Sequence, residues 1–421
     1  MQKMRKMKAS GIEWIGEIPE GWEIKYFVQL FSQVKNKNIG LREKNLLSLS
    51  YGKIKQKSIE TVGGLLPDNF EGYNIIDRND IVLRLTDLQN DQHSLRVGLS
   101  HERGIITSAY CSIRVRGAES PNYLYYYLHT FDIAKGFYGM GSGVRQGLNW
   151  DGLKYIKILL PPQYEQDRIS VFLNQKTLEI DSMLSKTISS IEEYKKLKQS
   201  VITQAVTKTI YDDFGNPSNF RKLRSLCDVL SKGTTPKDIE TQNDEFYCIR
   251  YLKSENIVSN QLNLNPTFFI TAETNNSLER SKLNSGDILF VIAGASIGKV
   301  AITTADFLPA NTNQAVAFIR LSSSYQYATK YIWYFLQSDV VKQLIALSAV
   351  QSAQPNLSLE DLGAMRLPLP DQMGCLKITD YLDAKCAEID KLIAKKEQLV
   401  KELESYKKSL IYEVVTGKRE V

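Results

Sequence analysis

Few of the residue types that hold metals or staple chains together are present. Only three histidines (His93, His101, His129) and five cysteines (Cys111, Cys227, Cys248, Cys375, Cys386) occur in 421 residues. No Cys-x-x-Cys pair exists and no histidine accompanies a cysteine pair, so the spacing of a structural zinc site is missing. A reduced protein with no metal ligands is expected. No run of about 18 apolar residues occurs, which removes a membrane-spanning helix. The basic start (Lys3, Arg5, Lys6, Lys8) is followed by no apolar segment and does not read as a secretory signal, so a cytoplasmic location is expected.

What is there is an ordinary globular composition with a mild basic excess, net charge +6. The length calls for two domains or more. The segment 163–208 carries seven Lys/Arg against six Asp/Glu, and 372–421 carries ten against nine. The excess therefore lies in 1–162 and 209–371, the candidate polyanion-facing parts.

An internal repeat organises the chain. With an offset of 209, Leu160-Pro161 falls on Leu369-Pro370, Leu173 on Leu382 and Lys176 on Lys385. Glu179-Ile180-Asp181 falls on Glu388-Ile389-Asp390, Lys186 on Lys395, and Val206-Thr207 on Val415-Thr416. Roughly a third of the positions match over this ungapped window, which implies duplication of a unit half the chain long. Each copy reads as one long helix entered from a proline. Ile180, Met183, Thr187, Ser190, Tyr194, Leu197 and Val201 step by three and four along the first copy. Ile389, Leu392, Lys396, Leu399, Leu403, Tyr406 and Leu410 do so along the second. That spacing is a heptad seam with Lys396 as its polar exception, and Ile191 stands ready to share the place of Ser190. The economical partner for each seam is the other copy, packed antiparallel. The matched charges Asp181/Asp390 and Lys186/Lys395 are read as solvated.

Before each long helix lies a mixed region in one order: strands, helix, loop, strand. In the first half, strands are expected at 81–85, 105–107 and 109–115, a helix at 122–138 and a strand at 156–160. In the second, strands are expected at 288–293, 300–303 and 315–321, a helix at 325–347 and a strand at 365–369. The fold class is α+β. Residues 1–160 and 209–369 form two mixed α/β heads, and 161–208 and 370–421 form two helical spacers. The heads have diverged far more than the helices, as they would if each read a different short stretch of nucleic acid on a common frame.

Several motifs resemble a known family. Trp14-Ile15-Gly16-Glu17-Ile18-Pro19-Glu20-Gly21-Trp22 resembles the opening of type I restriction-modification specificity subunits. Gly104 to Tyr110, Gly286-Asp287-Ile288-Leu289 and Ala293 to Lys299 resemble segments of their target recognition domains. Leu160 to Gln166 resembles the entry to their central helix, although Leu369 to Cys375 departs from that pattern. The resemblance implies two target recognition domains set as a pseudo-two-fold pair on two antiparallel coiled-coil helices. Each would read one half of a bipartite, asymmetric double-stranded DNA site. The helices would dock two modification (methyltransferase) subunits, and restriction subunits would join through those. It also implies that the chain binds no cofactor and has no catalytic residues; S-adenosylmethionine, ATP and magnesium belong to the partner subunits.

Enzyme motifs fail on their spacing. Gly294 to Val300 has three residues between its glycines, and Val300 stands where a P-loop needs Ser or Thr. A turn between strands is the better reading. Asn265-Pro266-Thr267-Phe268 lacks the second proline of an amino-methyltransferase loop. Pro370-Asp371 with Asp383-Ala384-Lys385 fits a loose nuclease pattern, but on a helix those carboxylates do not converge on one metal.

Base reading needs polar side chains on loops. In the first head the candidates are Lys53, Lys55 and Gln56 in the Tyr51–Lys57 turn, Arg84, and Ser142, Arg145 and Gln146 in the glycine-rich loop 141–147. In the second they are Lys232, Lys237, Arg250, Lys253, Lys299 and Gln351. Tyr110 is read as core. Two other readings stay open: a fused methyltransferase or nuclease enzyme, and a coiled-coil scaffold that never touches DNA.

Overall fold

The structure, a computed structural model, describes residues 5–58, 69–89, 91, 94–140, 147–207, 220–349 and 356–421. It divides into two compact units. One comprises Met1–Thr187 with Gln398–Val421; the other is Ile188–Glu397.

The first unit holds two four-stranded sheets. One is antiparallel, in the order Phe31–Gln33, Cys111–Val115, Ile81–Leu83, Val97–Leu99. The other runs Lys53–Lys57, Leu46–Ser50, Gly104–Ile106, Asn74–Ile76, with Ile105 paired parallel to Leu46. Ile81–Leu83 and Gly104–Ile106 are wholly buried, which is why they read as unbroken apolar runs rather than alternating ones. The helix Pro121–Ile133 starts where Ser120 accepts the amide of Tyr123 and proline takes the first turn, a favoured entry because both meet an otherwise orphaned helix end. Its Tyr123, Leu124, Tyr127 and Leu128 are buried in one core with Trp22, Ile113 and Leu159. Leu410, Ile411, Val414 and Val415 complete that core. Tyr110 packs against a smaller cluster around Leu47 and Ile106.

The second unit repeats the plan. Its four-stranded sheet runs Cys227–Lys232, Val316–Leu321, Ile288–Val291, Val300–Ile302. A three-stranded sheet, Phe269–Thr271, Tyr247–Leu252, Ala310–Thr312, again contains one parallel pair. Here the expected single helix over 325–347 is corrected: it is two helices, Thr329–Leu336 and Asp339–Ala349. The break frees the Gln337 carbonyl for the side chain of Gln199 at 2.7 Å and the Asp339 amide for Thr203 at 3.0 Å. Tertiary partners replace the helical bonds lost there, so periodicity alone does not show the break.

Two long helices, Gln163–Thr207 and Gln372–Val415, have 45 and 44 residues, each close to 65 Å long at about 1.5 Å per residue. They pack antiparallel within each unit. In the first, Ile180 and Leu184 share a core with Leu403 and Leu410. In the second, Val201 and Ile202 share one with Leu382 and Cys386.

The phase of the seam differs from the sequence expectation at alternate rungs. The least exposed positions are Ile180, Leu184, Thr187, Ile191, Tyr194 and Lys198 on one helix. On the other they are Ile389, Ile393, Lys396, Val400, Leu403 and Lys407. Met183, Leu197, Leu399 and Tyr406 stand about half exposed, whereas Tyr194, Val201, Leu392 and Leu403 are half-buried and Ile180, Ile389 and Leu410 buried. Steps of four-three and of three-four satisfy the same 3.5-residue repeat. What decides between them is that two rungs are lysines with carboxylate partners. Lys407 Nζ lies 2.5 Å from Asp181, and Lys198 Nζ 2.6 Å from Asp390. Asp181 and Asp390 are thus interhelical partners rather than solvated charges.

Candidate nucleic-acid interface

Each head is fastened to both long helices by one set of side chains. Tyr123 Oη donates to the Leu159 carbonyl (3.1 Å) and reaches that of Val415 (3.3 Å). In the second unit Tyr331 Oη does the same to Pro368 (2.7 Å) and Val206 (3.3 Å). Tyr126 Oη donates to Asn174 as Tyr334 Oη does to Asp383, at 2.9 and 2.8 Å. Burial pushes the Tyr126 phenol up to about 12 and raises that of Tyr334 further, with Asp383 adding to the effect, so both stay protonated donors.

A second device recurs inside the heads. The buried carboxylates of Asp80 and Asp287 are each forked by an arginine. Arg114 reaches Asp80 with two bonds of 2.7 Å, and Arg320 reaches Asp287 at 2.8 and 2.7 Å. Each carboxylate also takes a backbone N–H from three residues earlier, Asp77 and Asn284. These bidentate bonds raise both guanidinium pKa values and lock the strand that follows. The repeated tyrosine and aspartate clasps lie at offsets near 209; the aromatic-rich segments 123–128 and 331–336 correspond as letters, but letters alone give no sign of the bonds that these tyrosines, or Asp80 and Asp287, make.

The candidate readers are placed as follows. Lys53, Lys55 and Gln56 do not form a turn. They lie on the edge strand Lys53–Lys57, which pairs with Leu46–Ser50. The turn is Tyr51-Gly52 alone, both with positive φ (47° and 74°), as a two-residue hairpin requires. Tyr51 is 79% exposed, and a Cβ on Gly52 would meet Leu95 at 3.0 Å. Lys53 Nζ is held by Asp181 at 2.9 Å, while Lys55 and Gln56 are exposed. Arg84 follows the strand Ile81–Leu83, 3.5 Å from Asp91.

In the second head, Arg250 donates to the Asp306 carbonyl at 2.8 Å, and Lys253 sits over the Phe268 ring, 3.6 Å from its centroid. Both are engaged locally. Lys232 ends its strand and Lys237 stands exposed in the loop beyond. Lys299 is half-buried in the hairpin connection between Ile288–Val291 and Val300–Ile302. Gly294 and Gly298 turn that connection with φ near 87°, a β-turn geometry and not a phosphate-cradling helix entry. Ser142, Arg145, Gln146 and Gln351 lie outside the described residues.

Leu148 N donates to the Leu85 carbonyl and Leu357 N to that of Ile292, at 2.9 and 2.8 Å. Those bonds tie the segment after each candidate loop to the connection after the second sheet strand. Among the described residues no group of three or more His, Cys, Asp or Glu is placed to hold a metal, and no helix is long and apolar enough to cross a membrane.

Comparison with known proteins places this geometry. A family model for the type I restriction modification DNA specificity domain matches residues 216–402. The chain is 27% identical over 258 residues to the type I restriction enzyme EcoBI specificity subunit of Escherichia coli, a match spanning 56% of this chain and 53% of that protein. It is 22% identical over 437 residues to the putative type I restriction enzyme MjaX specificity subunit of Methanocaldococcus jannaschii, covering 96% of this chain and 95% of the relative. A chain of a solved type I R-M system superposes with a TM-score of 0.71 at 15% identity, covering 96% of this chain and 99% of the other. The HsdS subunit from Thermoanaerobacter tengcongensis gives 0.51 at 15% identity, covering 96% and 98%. These two likenesses concern the fold.

Proposed function

From its likeness to the specificity subunits of type I restriction-modification systems, we propose that the chain is one of them, selecting a split, asymmetric sequence in double-stranded DNA and leaving the chemistry to its partners. Each head reads one half of the site, and the paired helices set the gap between the halves. The observation that carries this reading is the contrast inside the duplication. The clasps of Tyr123 and Tyr331, and of Asp80 and Asp287, are kept. The connections 84–96 and 292–299 that they support differ in length and in side chains. A frame that stays constant while its connections change is suited to reading two unlike half-sites.

The near-neutral helices carry exposed apolar side chains such as Leu178, Met183 and Tyr381. Such surface is covered in an assembly, and it supports docking of two methyltransferase subunits, with restriction subunits joining through them. On this reading S-adenosylmethionine, ATP and magnesium are bound by those partners.

Genome-wide adenine-methylation mapping, with and without the intact chain, tests the proposal. One split motif should appear only with it. Exchanging residues 1–160 for another first head should change one half of the motif and leave the other. A motif that is unbroken, or unchanged by the exchange, would sink the reading.

A further inference from the structure

In the first head, the connection between Ile81–Leu83 and Val97–Leu99 is folded around an arginine. Arg96 is fully buried. Its Nε donates to Tyr138 Oη at 3.0 Å, and its Nη1 to the carbonyls of Arg84 (3.1 Å) and Thr86 (2.8 Å). Its Nη2 donates to the carbonyls of Asp87 (3.2 Å) and Asp91. A guanidinium has five N–H donors, and all five are engaged. The Tyr138 ring faces it at 5.1 Å, and Asp132 accepts the backbone N–H of Arg96 at 2.7 Å.

Stability alone does not call for this arrangement. An apolar side chain of similar volume serves a core as well as a buried charge does, or better. What the arginine adds is shape. It draws the carbonyls of residues 84, 86 and 87 inward, while Leu85 and Leu88 are buried beside them. Thr86 and Gln89 are left exposed, and Arg84 and Asp87 partly so. Those four side chains carry the donors and acceptors that match base edges. The Leu148 amide holds the Leu85 carbonyl at 2.9 Å, and Leu95, next to Arg96 in the chain, packs against Gly52 of the Tyr51-Gly52 tip. In the second head Lys299 occupies the corresponding place before Val300. Its connection closes by main-chain bonds, Ile297 to Gly294 and Lys299 to Ser296, so the device belongs to the first head.

We propose that Arg96 is a positioning residue for specificity: it fixes Arg84–Gln89 as the surface that selects bases in one half of the DNA site. The inference rests on the DNA-specificity reading above.

The test uses the full chain with its methyltransferase partner. Duplexes in which each base pair of both half-sites is varied singly are modified by wild type, Arg96→Lys, Tyr138→Phe and Gln89→Ala. Relative rates and complex melting are recorded. The variants should lose about tenfold or more of the preference at one or more base pairs of the first half, while the second half keeps its preferences within about twofold. A merely structural role would slow every duplex alike. If Arg96→Lys does not fold, Tyr138→Phe decides, since it removes one acceptor and keeps the ring. Unchanged first-half preferences in a folded Arg96 or Tyr138 variant, or in Gln89→Ala, overturn the proposal. A wild-type complex that prefers no split site overturns the specificity reading itself, and with it this one.

Discussion

Single residues in the first head carry opposite responses to acid. His129 is buried, stacked on Tyr125 at 5.8 Å. Burial, with Lys407 and Lys408 nearby, pushes its imidazole down to about 4. Asp132, three residues on, is pushed up to about 6 by burial, against the Arg96 amide and charge. As pH falls from about 6.5 to about 4, the unfolded chain takes up a histidine proton that the folded one refuses, and stability is lost. Over about 6 to 4 the folded Asp132 takes a proton first, and stability is gained. Each effect is on the order of 3 kcal/mol at most, so the two largely offset. Melting followed from pH 7 to pH 4 should show it. His129→Phe should melt progressively higher than wild type as pH falls, and Asp132→Asn progressively lower. Parallel curves for all three would exclude the assignment. Neither group stands out in the sequence: a histidine inside Tyr125–Phe131 gives no sign of its surroundings, and the same holds for Arg96, whose acceptors are backbone carbonyls.

At the scale of elements, the long helices were legible because a 3.5-residue repeat sustained over some forty residues occurs in little besides a coiled coil. Their facing rungs were less so. Leucine and methionine at 183, 197 and 399 look like better core residues than lysine at 198 and 407. The choice depends on Asp390 and Asp181 of the opposite helix, and hence on an antiparallel register that no single helix encodes. Two substitutions in one unit separate the two phases. Ile191→Ala should cost about 2–4 kcal/mol of unfolding free energy, and Leu197→Ala less than about 1 kcal/mol. Denaturant titration of both variants, alone or in complex, checks this, and the reverse order would restore the three-four stepping. The hairpin Leu46–Lys57 was misread for a related reason. Lys53, Lys55 and Lys57 give an edge strand the polarity of a loop, and only the partner strand shows that it is paired.

For the whole molecule, duplication was the most legible feature, and it carried the mixed α+β plan with it. Which charged side chains have partners within the protein was not legible. Arg250, Lys253 and Lys53 prove to be engaged by a carbonyl, a ring and a carboxylate. A charged letter does not reveal whether its partner is solvent, protein or nucleic acid. If the helices set the gap in the recognised site, the gap follows their length. Inserting one heptad between Thr187 and Ile188 and another between Glu397 and Gln398 adds about 10 Å. The unread centre of the motif should then widen by about three base pairs. Methylation mapping of that variant should return the same two half-sequences with the wider centre; an unaltered gap would show that something other than the helices measures it.

The compact unit that contains the first head is closed by Gln398–Val421, whose Leu410, Ile411, Val414 and Val415 fill its core. On a ribosome, therefore, the unit that holds the first head waits for residues 398–421 to emerge before its interior can be sealed. All the residues of Ile188–Glu397 are available sooner. Of the two units, the one begun earlier is completed later, and a chain that stopped short of Gln398 would leave the apolar interior around Tyr123 and Leu159 open.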